Sequence, residues 1–129
     1  MTTVERLRTA ELVFLVAVGG FAGASLRHVV SLAVPGLGGT FAANVTGCLA
    51  LGVLAYEAEL VGVVAEETYY AAATGFLSSF TTYSTFALEV VQSPTLVGVG
   101  YVVSTYAVGF AAVLVGRGVA RTLAGVVGS

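Results

Sequence analysis

Residues 78–87 read SSFTTYSTFA, with Ser or Thr at six of ten positions and rings at Phe80, Tyr83 and Phe86. Nothing in the stretch is charged, and the chain around it is strongly apolar. Hydrophobic residues make up 57% of the 129, charged residues 9%, and mean hydropathy is +0.99. A soluble domain averages about 25% charged residues, so the chain reads as an all-α membrane protein, since lipid leaves a helix as the form of each crossing. Ser78-Ser79 and Thr81-Thr82 can turn their hydroxyls onto the backbone and bend such a helix. A helix broken at mid-membrane depth survives only where protein or an ion satisfies the freed groups. Freed carbonyls favour a hard monovalent cation.

Outward from this stretch, the length accommodates one domain of about four spans of about 20 residues. The first runs from about Leu12 to Val34, preceded by Arg6, Arg8 and Glu11 and ended by Pro35-Gly36. The same start imitates a signal peptide, with Ala22-Gly23-Ala24 as its cleavage site; Arg27 argues for a span instead. The second runs from about Gly39 to Tyr56, and 57–67, with four Glu, forms a polar loop. The third, from about Thr68 to Leu88, contains the quoted stretch and is expected to be interrupted near 77–82. Ser93-Pro94 turns the chain into the fourth, about Thr95 to Val115, with Arg117 and Arg121 at its exit. Gly19, Gly23, Ala24, Gly47 and Gly52 permit close helix approach.

Polar groups that belong in water but lie within spans are the functional candidates. Arg27, followed by His28, either snorkels to the interface, fixes a positive charge at an anion route, or partners helix carbonyls. Asn44 either glues helices or offers a carboxamide to a small anion. Tyr83 and Phe86, three apart, share a helix face; they are either packing rings or ring edges, which are positive, lining an anion path. No carboxylate is expected inside a span, with Glu89 at a boundary. A proton-coupled transporter normally embeds a titratable group. Amide, hydroxyl and ring-edge donors instead suit passive conduction of a small, strongly hydrated anion.

The charges exclude other classes. There is no Lys and no Asp, only five Arg and seven Glu. No basic patch exists for a nucleic acid. One Cys and one His exclude a Cys/His metal site, and Cys48 forms no intrachain disulfide.

Three motifs resemble those of the CrcB/Fluc fluoride channels. Gly19-Gly20-Phe21-Ala22-Gly23-Ala24-Ser25-Leu26-Arg27-His28 is similar to GGxxGAxxR plus an aromatic. Gly39-Thr40-Phe41-Ala42-Ala43-Asn44-Val45-Thr46-Gly47 is similar to GTxxxNxxG. Thr74-Gly75-Phe76-Leu77, continuing into the quoted stretch, is similar to TGxxGGxTTFSTF. The resemblance covers all four spans. It implies an antiparallel dimer with two fluoride pores and a central structural Na⁺ held by backbone carbonyls, here those of Ser78 and Thr81. It places Asn44, Thr40, Tyr83 and Phe86 on the fluoride path, and Tyr101 and Thr105 best fit its hydroxyl track. Ser78-Ser79 replaces Gly-Gly, which a carbonyl ligand tolerates if the break needs no positive φ. Tyr83 replaces Phe, keeping the ring edge and adding a hydroxyl.

The function expected is a passive fluoride channel of the cell membrane that lowers cytoplasmic fluoride. The alternatives are a small four-helix multidrug or cation exporter, for which Glu11 lies too close to the start of its span, and a non-conducting subunit of a heterodimeric channel. Arg6, Arg8, Arg117 and Arg121 fall on the side of both termini, against Arg27 at most on the other. The positive-inside rule then puts the termini in the cytoplasm. A one-way orientation points to a distinct paralogous partner rather than a second copy.

Overall fold

The computed structural model describes residues 1–128, and all the regular structure within them is helical. Helix α1 spans Thr3–Ala33 and α2 spans Leu37–Tyr56, which runs on as a wide π-helical turn, Glu57–Val61. Helix α3 (Glu66–Tyr70) passes into a π-helical segment, Ala71–Leu77, and then into the single turn α4 (Ser78–Phe80). Helices α5 (Ser84–Gln92) and α6 (Thr95–Val127) complete the chain.

The ends follow from local chemistry. Thr2 and Glu5 form a reciprocal capping box: the Thr2 hydroxyl accepts from Glu5 N–H at 3.2 Å, and Glu5 accepts from Thr2 N–H at 2.6 Å. Pro35 drives Val34 out of the helical region (φ −131°, ψ 87°), and Gly36 turns the corner at φ +79°. Gly62, at φ +68°, stops the π-turn after α2. Pro94 precedes the first residue of α6.

Three helical stretches are long and apolar enough to cross a membrane: Thr3–Ala33, Leu37–Val61 and Thr95–Val127. Helices α1 and α6 outrun their sequence-expected spans because nothing in the flanking residues breaks them; at 31 and 33 residues they reach about 45–50 Å. The acidic loop is likewise partly helical, since α2 continues through Glu57 and Glu59.

Residues 66–92 form no single helix. The non-helical residues are 81–83, so the interruption starts at Thr81, after Ser78-Ser79 rather than at them. Ser78 keeps helical angles, and its hydroxyl bonds back to the Thr74 carbonyl, which bends a helix without breaking it. Thr81 is extended (φ −80°, ψ 160°). A continuing helix would give the Thr82 N–H to the Ser78 carbonyl, but Asn44 Oδ1 takes it at 2.8 Å. No non-Gly residue among those described has positive φ, so Ser in place of Gly strains nothing.

Packing is backbone on backbone. Helix α2 lies along α6 and α1 lies along the 71–77 segment, the two most extensive pairings. At Gly23 a Cβ would land on the Phe76 carbonyl oxygen. Gly52 and Gly116 do the same for α2 and α6: a Cβ on either strikes the backbone of the other helix, at Val113 and Leu49. Large apolar side chains such as Phe14, Phe21, Leu32, Phe110 and Leu114 point outward, as a lipid-facing surface requires.

Candidate functional site

Asn44 organises the centre. It sits on α2, half-buried, and its carboxamide clasps the backbone of Thr82 from both sides. Nδ2 donates to the Thr82 carbonyl at 2.9 Å and Oδ1 accepts the Thr82 N–H at 2.8 Å. This is closer to helix glue than to a free carboxamide, although the second Nδ2 proton is left over. The Thr82 hydroxyl accepts the Thr85 N–H at 3.2 Å, satisfying one of the orphan donors at the start of α5. Arg27 reaches the same linker from α1, with Nη1 donating to the Thr81 carbonyl at 3.4 Å. Of its three readings, the carbonyl partner is the one made.

Two cavities meet at Thr82, which lines both. The larger, about 540 Å³, is walled by Asn44, Cys48, Ser78, Thr81, Tyr83, Phe86, Thr105, Tyr106 and apolar neighbours, and no charged side chain lines it. Phe86 is 6% exposed, its centroid 5.1 Å from Tyr101 and 6.1 Å from Tyr106. Tyr83, 73% exposed, stands 6.1 Å from Phe86 on the open side, so the two rings share a cavity but not an environment. The Thr105 hydroxyl is buried and has no hydrogen-bond partner. The smaller cavity, about 260 Å³, has mostly polar residues in its lining: Arg27, His28, Ser31, Thr40, Thr82 and Thr85, with Ala24 and Gly39.

The expected hydroxyl track is split. Thr105 faces the ring-lined cavity, whereas the Tyr101 hydroxyl donates to Glu89 Oε2 at 2.9 Å and lines neither cavity. Thr40 donates to the other oxygen of Glu89 at 2.7 Å. Glu89, expected at a span boundary, is therefore engaged by protein hydroxyls. It is a half-buried carboxylate with a hydroxyl on each oxygen, on the helix that carries Phe86. Hydropathy put the end of the span beside it and hid this. The available signal was the Ser93-Pro94 turn, which lets α5 run three residues past Glu89, to Gln92; the pairing with Thr40 and Tyr101 is a tertiary fact.

The Ser78 and Thr81 carbonyls bear on a cation differently. Ser78 loses its helical donor to Asn44, which leaves an oxygen available. Thr81 already receives the Arg27 guanidinium. A carbonyl has two lone pairs, so it can accept both, at the cost of placing two positive charges near one oxygen. Among the described residues, no group of three or more His, Cys, Asp or Glu side chains gathers to hold a metal.

The family described as CrcB-like protein, Camphor Resistance (CrcB), matches residues 14–117. The chain is 56% identical over 125 residues to fluoride-specific ion channel FluC 1 of Haloarcula marismortui, covering 97% of this chain and 98% of that one. It is 50% identical over 112 residues to FluC 2 of Halobacterium salinarum, covering 86% and 88%. It is also 50% identical over 111 residues to FluC 1 of Natronomonas pharaonis, covering 84% and 93%.

Proposed function

The chain belongs to the CrcB family, and we propose that as a fluoride-specific channel it conducts passively, through the two cavities that meet at Thr82. It is an ion channel rather than an enzyme. The observation that carries the passive reading is the uncharged, ring-lined cavity with an orphaned hydroxyl at Thr105. A buried hydroxyl without a partner costs roughly 1–3 kcal/mol, and a hydrated anion passing through removes that cost. Neutral donors replace the water of fluoride yet release it, where a fixed charge would hold it. Fluoride enters from the Arg27 mouth, passes Thr40 and the spare Nδ2 proton of Asn44, and continues along the edges of Phe86 and Tyr83 past Thr105.

Residues 66–92 serve as the fourth crossing, with 81–83 as its mid-membrane break. Ser78 and Tyr83, which line the larger cavity, are exposed, and so are Ser84 and Thr85 beside them. Lipid offers hydroxyls nothing, so a second subunit covers this face, antiparallel as the sequence resemblance implies. In that dimer the carbonyls of Ser78 and Thr81 from both subunits hold a structural Na⁺, which would neutralise oxygen dipoles at the breaks. Cell-membrane insertion with cytoplasmic termini, beside a paralogous subunit, completes the reading. The use of both FluC 1 and FluC 2 as names among the relatives is in keeping with paired subunits.

The exporter alternative needs a carboxylate within the first span, and Glu89, on α5, does not supply it. One experiment separates the readings. Purified protein in KF-loaded liposomes, with valinomycin to carry K⁺, should release fluoride to an electrode with the pH gradient collapsed. Efflux that stops with ΔpH while the fluoride gradient persists would count against a channel. No efflux at all from the lone subunit, restored by a paralogue, would identify a non-conducting partner.

A further inference from the structure

Two rings of α6 meet Phe86, and one of them has no part in the pathway above. Tyr101 stands 5.1 Å from Phe86 at an interplanar angle of 57°, and Tyr106 stands 6.1 Å away at 78°, close to a T-shaped contact. The two bear on Phe86 differently. Tyr101 is buried, lines neither cavity, and is fixed by its hydrogen bond to Glu89. Tyr106 lines the 540 Å³ cavity together with Phe86 and Thr105. Tyr83 also lies on the cavity side, but it precedes α5, and Phe86 is the one ring it meets. Tyr106 is backed by Phe110, four residues on along α6, at 6.1 Å. Its hydroxyl bonds to no described residue, so what it offers Phe86 is its ring.

We propose that Tyr106 is a positioning residue for fluoride conduction: its ring, not its hydroxyl, holds Phe86 at the angle that turns an edge toward the larger cavity. The inference rests on the channel reading above. A phenyl ring turns about its last side-chain torsion in a broad, two-fold well, so packed neighbours set the angle. The angle matters because the ring edge is positive and the face negative. A rotation exchanges attraction of an anion for repulsion. Tyr101 supports Phe86 from the wall, and Tyr106 supports it from the cavity. Without the second ring, Phe86 is free to turn on the side where fluoride passes.

The strength of such a ring pair, beyond the area it buries, corresponds to a shift of about two- to tenfold in an equilibrium. The fraction of time that Phe86 spends edge-on changes by that order, and flux follows it.

The test is fluoride efflux from KF-loaded liposomes with valinomycin, with gel filtration and a melting temperature in detergent for each variant. Tyr106→Phe keeps the ring and should keep wild-type flux. Tyr106→Leu removes it and should lower flux about three- to tenfold in a protein that still assembles. If Leu prevents assembly, Tyr106→Met, whose flexible side chain fills the same gap, is read in its place. In a Phe86→Ile background, at a protein load where that variant clears the protein-free leak, Tyr106→Leu should cost nothing further. Wild-type flux in the Leu variant would overturn the inference and leave the channel reading intact. A Phe variant as slow as the Leu variant would overturn it too, and give the role to the hydroxyl. The same fold loss on top of Phe86→Ile would make Tyr106 an independent wall of the path and not a support for Phe86. A wild-type protein that passes no fluoride would remove the channel reading and this inference together.

Discussion

At the residue scale, the sharpest claim concerns Phe86. Its burial and its contacts with Tyr101 and Tyr106 also fit a plain core ring. The two roles separate on substitution. Phe86→Ile keeps apolar bulk, so the expected stability loss is about 1–3 kcal/mol, small beside what would dismantle the protein. It deletes the positive ring edge, so fluoride flux should fall at least about tenfold while gel filtration still reports the assembled protein. Wild-type flux in this variant would reduce Phe86 to packing. Asn44 and Phe86 could be singled out from the sequence because polar or aromatic residues at fixed motif spacings are visible there. What Asn44 does was not visible. Its carboxamide clasps the Thr82 backbone 38 residues away, and no periodicity encodes a partner at that distance. Glu89 was obscured for the same reason.

At the element scale, the interruption at 81–83 is a contest for one N–H. The hydroxyls at Ser78 and Thr81 bond back to carbonyls four residues earlier, Thr81 to Leu77 at 2.9 Å, and such bonds leave a helix standing. The break comes where Asn44 removes the Thr82 N–H from the ladder. The sequence reading expected an interruption near 77–82, because hydroxyl-rich stretches compete with helices; the non-helical residues are 81–83, at the end of that range. The packing partner of α1 follows a similar logic. Gly23 sits directly on the Phe76 carbonyl, within the wide segment 71–77, so the position of the linker is set by how closely α1 approaches. Gly23→Val forces α1 away from that carbonyl. The variant should lose about 1–3 kcal/mol, read as a lower melting temperature in detergent. It should also lose flux, because Arg27 rides on the same helix. A melting temperature and flux equal to wild type would mean that α1 does not hold the linker in place.

At the scale of the whole molecule, the remaining question is orientation. Arg8 pairs with Glu66 at 3.2 Å and Glu67 at 3.5 Å, and Arg117 pairs with Glu59 at 3.4 Å. These are exposed pairs, each worth at most about 1 kcal/mol, but they show that the start of α1, the far part of α6 and segment 57–67 lie at one end. The basic residues at that end are Arg6, Arg8, Arg117 and Arg121; the other end has Arg27, drawn inward to Thr81. Topology follows Lys and Arg rather than net charge, so the Glu partners do not cancel the bias. The expected outcome is a single orientation, termini inside. An antiparallel assembly then requires a different, oppositely inserted subunit, because one copy cannot supply both directions. A single cysteine decides this. In a Cys48→Ala background, Gly128→Cys marks the C-terminal end, where the residue is exposed at an ordinary φ of −82°. A membrane-impermeant thiol reagent should label it only after inside-out vesicles or permeabilised cells expose the cytoplasmic face. Equal labelling from both faces would show dual insertion. The antiparallel partner would then be a second copy of this chain, and a bias of three arginines would be too weak to fix the topology.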